Sequence, residues 1–256
     1  MPATVLSGTS GALSYKPAGT TGTFAPANVT TATNEIVVES YLNLKVGDPV
    51  KFAVYNVQGG TVAGTLPGGL TAGTTYYVIQ YTPGTGVLKV SATLGGSSVT
   101  LTTTGTATAP NEFRVDYADY ALVSQVRDWS FEITRSEIDV TTIGQDAGQY
   151  APFKTYITGF ADGNGTANVY MTDEDAALAN RMVEDVLQRK QVGAAMRLYV
   201  DRVVVSGSVS ETASRSISME VVLTSASLNV NPDDAISVAI NFRPTANVSV
   251  DLSQSA

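Results

Sequence analysis

Along most of this chain the apolar residues stand at alternate positions in short runs, and glycine, proline, threonine and serine separate the runs. Strict alternation puts apolar side chains on one face of a strand and polar ones on the other, a pattern that a helix cannot bury. It runs through 35–39, 48–54, 75–79 and 86–90, with turn clusters such as Leu66-Pro67-Gly68-Gly69 between, and again through 165–171, 195–209, 216–230 and 236–242. A longer run, Leu122 to Ile133, keeps the pattern except at Trp129 and is long enough to serve two neighbours. Charged residues at 15% are well below the usual quarter, and 23 glycines fit short strands joined by many turns. With 256 residues, 43% of them hydrophobic, the chain can bury one large core or two small ones. The expected fold class is mainly β: a β-sandwich with one flanking α-helix, plus a small β-barrel or sandwich.

The helix is expected at about 173–190. Thr172 is placed to cap it, Asp173, Glu174 and Asp175 fill its first turn, Arg189 and Lys190 its last, and Gly193 follows. Leu178, Met182 and Val186 recur every fourth residue with Val183 and Leu187 beside them, which assigns that stripe to the core and Glu184, Asp185 and Gln188 to water.

A change of character near Asn28 marks residues 29–115 as a unit. Glu35, Glu39, Asp48 and Glu112 balance Lys45, Lys51, Lys89 and Arg114 there, so the whole net charge of −8 sits on the rest of the chain. The expected organisation is a discontinuous domain, 1–28 and 116–256, interrupted by a β domain at 29–115.

Several function classes fall away on composition. Without cysteine there is no disulfide or thiolate metal site, and without histidine the commonest metal ligand and neutral-pH base are missing. Net negative charge gives no footprint for gripping a phosphate backbone. No apolar run approaches the ~20 residues of a membrane-spanning helix, and Met1 to Gly11 lacks the basic start and apolar middle of a signal peptide, so synthesis and folding in a cytoplasm are expected. The segment Asp162-Gly163-Asn164-Gly165-Thr166 starts like a calcium loop. Ala167 stands where such a loop needs glycine and Asp173 where it needs glutamate, which leaves a turn or hairpin. Gly59-Gly60 and Gly95-Gly96 read as hairpin turns, lacking the lysine or following helix of a phosphate cradle. The serines have no histidine to activate them and no Gly-x-Ser-x-Gly elbow. A carboxylate-pair glycosidase needs only two acids, but no pair stands out. No enzyme activity, cofactor or metal is expected.

The order of elements in the discontinuous part resembles the tail tube (major tail) proteins of long-tailed bacteriophages. The likeness is carried by the Gly-containing strand Ser10 to Tyr15, the strand Val126-Arg127-Asp128-Trp129-Ser130-Phe131-Glu132-Ile133, and the stretch Glu137-Ile138-Asp139-Val140-Thr141-Thr142-Ile143-Gly144. It continues through Tyr150-Ala151-Pro152, the Gly-Thr-Ala strand Gly165 to Tyr170, the acidic-capped helix and the closing strands. Between the first two strands, Val46-Gly47-Asp48-Pro49-Val50 and Leu66 to Ile79 are similar to modules that recur in phage virion proteins.

The resemblance implies a structural virion protein whose sheet edges join those of its own copies into rings, commonly of six, that stack into a hollow tube for DNA ejection. DNA would pass through the lumen without specific binding. The other implied partners are tail proteins: the tape measure, tail tip and terminator; no membrane is implied. Long strands have free edges, and ring closure satisfies them. The loop from Thr141 to Lys154, with Ile143, Asp146, Tyr150 and Phe153, is the expected inter-ring contact, because a long, partly apolar loop suits ordering by a neighbour. The inserted domain is expected on the outside of the tube, as a spacer or with Tyr76, Tyr77 or Tyr81 reaching host-surface glycans; one of Tyr76 and Tyr77 must face its own core. The rival readings are a capsid decoration or tail-tip subunit, a carbohydrate-binding β module and a glycosidase.

Overall fold

The computed structural model describes residues 8–124, 126–141, 154–171, 178–188, 191–230, 235–246 and 248–252. In chain order its strands are β1 (Ala12–Lys16), β2 (Gly22–Phe24), β3 (Val29–Thr30), β4 (Glu35–Val37), β5 (Pro49–Asn56), β6 (Thr75–Thr82), β7 (Val87–Ser91), β8 (Asn111–Tyr117), β9 (Ala121–Leu122), β10 (Val126–Asp139) and β11 (Tyr156–Tyr170). Helix α1 (Leu178–Val186) follows, and then β12 (Ala195–Asp201), β13 (Val204–Val205), β14 (Ser208–Val209), β15 (Arg215–Asn229), β16 (Ser237–Pro244) and β17 (Ser249–Asp251). The protein is mainly β, as the alternation predicts, with one flanking α-helix among the described residues.

The strands form two main antiparallel sheets. The first is ordered β10-β11-β16-β15-β12-β1-β9, with β17 also on β15. Strand β15 belongs to both halves of a sandwich: 215–220 pair with β12, and 221–229 pair with β16, with a register shift between Leu223 and Ser225. A bulge of this kind bends and twists a strand, so one chain segment can pass from one layer to the other. Leu13, Val169, Met196, Leu198, Leu223, Ile240 and Phe242 fill the core between the layers. The alternation is plain in β16, where Val238, Ile240 and Phe242 are buried.

The second sheet, ordered β2-β8-β5-β6-β7-β4-β3, takes in residues 22–117. Its core centres on aromatic rings: Phe24 stands edge-on to Phe52 at 6.1 Å and 5.2 Å from Phe113, and Phe52 meets Tyr76 at 5.8 Å. Such pairs add about 0.5–1.5 kcal/mol each beyond burial. Tyr76 is buried and Tyr77 half-buried, as alternation along β6 demands.

Four readings of the sequence are corrected. Asp162 to Thr166 is no turn: it lies inside β11, and its glycines make room for neighbours. A Cβ on Gly165 would come within 2.2 Å of the Phe242 ring, and one on Gly163 within 2.8 Å of Pro244. The run 195–209 is not one strand, since Ser206 and Gly207 both have positive φ and turn β13 back on β14. The run from Leu122 to Ile133 does serve two neighbours, but as two strands, β9 on β1 and β10 on β11. Lastly, α1 turns Asp185 inward and leaves Leu187 exposed. The helix is described only over Leu178–Val186; the expected cap Thr172, the acids Asp173 to Asp175, and Arg189 and Lys190 lie outside the described residues.

Candidate assembly surface and the junction behind it

Strands β10 and β11 run together for most of their length, but β11 has a second neighbour only over Gly165–Tyr170, where it pairs with β16. Strand β16 ends at Pro244, which has no N–H to continue a ladder and sits where a side chain on Gly163 would go. From Asn164 out to Tyr156, β11 is paired among the described residues with β10 alone. At roughly 3.3 Å per residue this two-stranded arm is about 30 Å long.

The arm carries apolar side chains that neither core covers. Ile133, Ile138, Tyr156 and Ile157 are about half exposed, and Phe160 is 93% exposed. Ile138 lies directly opposite Ile157, and a register shift between Arg135 and Glu137 adds a residue on the β11 side near Phe160. Ser136 closes that bulge by donating its hydroxyl to the Phe160 carbonyl (3.3 Å), while Arg135 Nε donates to the Gly159 carbonyl (3.2 Å). An isolated two-stranded ribbon is marginal in water, and exposed apolar patches mark interaction sites. Strand β10 is also the edge of the first sheet, so its outer backbone groups have no strand partner among the described residues.

Of the residues expected at the inter-ring contact, Thr141 and Lys154 are brought together at the end of the arm. Thr155 N–H donates to Thr141 Oγ1 (2.8 Å), Val140 N–H to the Thr155 carbonyl (2.8 Å), and Lys154 Nζ stands 3.2 Å from Asp139. Thr141, then Lys154, hold the Asp139 carboxyl below its ordinary range. Ile143, Asp146, Tyr150 and Phe153 lie outside the described residues. Thr141 and Lys154, the described residues on either side of 142–153, stand together at the far end of the arm.

A second constellation, absent from the sequence reading, lies where the two sheets meet. Arg181 of α1 is fully buried and pairs through Nη1 with Asp48 at 2.5 Å, while its Nη2 donates to the Asn43 carbonyl and its guanidinium lies 5.9 Å from the Tyr117 ring centre. One turn on, Asp185 accepts from the Tyr15 hydroxyl (2.6 Å), from Ala18 N–H (3.0 Å) and from the Asn43 amide. Lys45 and Glu184 form a more exposed pair at 2.6 Å. Burial dominates the titration here: it raises Asp48 against the pull of Arg181, raises Asp185 against its three donors, and pushes Tyr117 up to about 12. The helix stripe did predict the apolar face, but an Arg and an Asp four residues apart gave the only sign of this second, polar face.

No protein-family model matches the sequence, and no curated protein matches it. Two solved structures that superpose on the chain are a chain from the tail of an empty gene transfer agent particle, refined helically with C6 symmetry, and a chain from the virion of a native gene transfer agent particle. Each has a TM-score of 0.36 and 10% identity and covers 51% of this chain, against 85% and 88% of their own lengths.

Proposed function

We propose that the protein is a non-enzymatic structural subunit of a phage-type tail, which joins its own copies into rings, six to a ring, that stack into a tube for DNA. The observation that carries this is the arm: about 30 Å of two-stranded sheet with an open edge and uncovered apolar side chains on it. A subunit that stayed alone would expose all of it. Lateral pairing of β10 and the arm with the next copy satisfies the backbone and buries the apolar groups, and a ring closes the series without leaving a free edge. The motif order of the first domain supports the same reading from the sequence side.

In this reading the loop between Thr141 and Lys154 meets the next ring, the second sheet stands on the outside of the tube, and the tape measure, tail tip and terminator are the other partners. The net charge of −8 suits a lumen through which DNA slides without being held. Sedimentation velocity of wild type and of an Ile157→Ser/Phe160→Ser double variant tests the arm. Wild type is expected to form large, concentration-dependent species, with the variant folded and monomeric; equal assembly by both would refute the role of the arm. Substituting Tyr150 and Phe153 together should preserve rings and stop their stacking; normal tubes from that variant would rule out the loop.

A further inference from the structure

The first sheet passes into the second through buried and bonded chain, and the return connection is half-buried with Asp119 exposed. The first connection, residues 17–21, carries Ala18 and Thr20 fully buried. Ala18 N–H donates to Asp185, Gly19 N–H to the Val192 carbonyl (3.0 Å), and the Thr21 hydroxyl to Asp116 (2.7 Å). The return connection, residues 118–120, begins with Ala118 N–H on the Pro49 carbonyl (2.8 Å). Boundaries between independent domains are usually exposed and crossed by few bonds. Here the charge of a helix in the first sheet's layer is neutralised by the second sheet's Asp48, and the second sheet's Asn43 is held by the helix's Asp185.

We infer that the two sheets are one cooperative unit that folds and unfolds together through α1, so that the second sheet is a required part of the fold and not a removable ornament. A buried guanidinium without its carboxylate is among the costliest defects a core can carry, because the remaining charge has no partner and no water. Loss of the second sheet would strip Arg181 of Asp48, the Asn43 carbonyl and the Tyr117 ring together, so the inner face of α1 has its partners only while both sheets are folded. The sheet's position is thereby fixed relative to the first.

The test follows both sheets in the full chain during guanidinium unfolding. Trp129, the only tryptophan, packs against the first core and reports it by fluorescence; hydrogen exchange of the β5 and β8 amides reports the second. Wild type should show coincident midpoints. Asp48→Asn, a change in the second sheet, should lower the Trp129 midpoint as far as it lowers β5 and β8 protection, and Phe113→Leu, deep in the second core, should do likewise. Separate midpoints in wild type, or a Trp129 midpoint unmoved by either variant, would overturn the inference.

Discussion

Asp185 shows at the scale of one residue how burial decides chemistry. Its carboxylate accepts three hydrogen bonds, yet burial outweighs them and raises its pKa. A group that holds its proton more tightly when folded adds stability at low pH, and that contribution is lost as pH rises from the ordinary carboxylate value through the raised one. The stability of wild type relative to Asp185→Asn should therefore rise as pH falls from 7 toward 4, measured by thermal unfolding; a relative fall would contradict the assignment. Tyr15→Phe removes one donor from the same carboxylate and should cost about 1–3 kcal/mol, read from denaturant midpoints. Gly165 and Gly163 give a second residue-scale prediction. Alanine at 165 drives a Cβ into the Phe242 ring and should cost roughly 1–3 kcal/mol, more than alanine at 163, whose nearest neighbour is farther off. Beyond the spacing of Arg181 and Asp185, little of this was legible beforehand: a charged residue on a helix reads as solvated unless its partners are known, and Asn43, Asp48 and Tyr15 are far away in sequence. Gly163 and Gly165 misled for a related reason, since glycine marks a close approach inside a strand as readily as it marks a turn.

At the scale of elements, period-two alternation located strands well because it is a property of neighbouring residues. It could not show where β15 changes partner or that β11 outruns β16, since both depend on residues brought from elsewhere in the chain. From the sequence, the assembly contact is expected between Thr141 and Lys154; the proposed contact also takes in the ribbon that ends at those two residues. The ribbon carries Ile133 opposite Gly163 and Ile138 opposite Ile157, the isoleucines all about half exposed, and neither core of the described residues lies against them. The arm amides 133–139 should exchange rapidly in dilute protein and become protected in assembled material, as followed by hydrogen exchange with mass spectrometry. Equal protection in both states would mean that the arm is not the contact.

For the whole molecule, the described residues build two sheets over aromatic and aliphatic cores, join them through a buried ion pair, and leave a long edge and an arm uncovered. The mainly β class and the single flanking helix followed from patterning; the ion pair did not, because it joins residues 133 positions apart. In the proposed assembly, each copy completes the open edge of the next. Electron microscopy of the purified, concentrated protein without any partner tests this claim most directly. Rings of uniform diameter or tubes made of them are predicted, while single compact particles at every concentration, with the arm still exchanging freely, would contradict it.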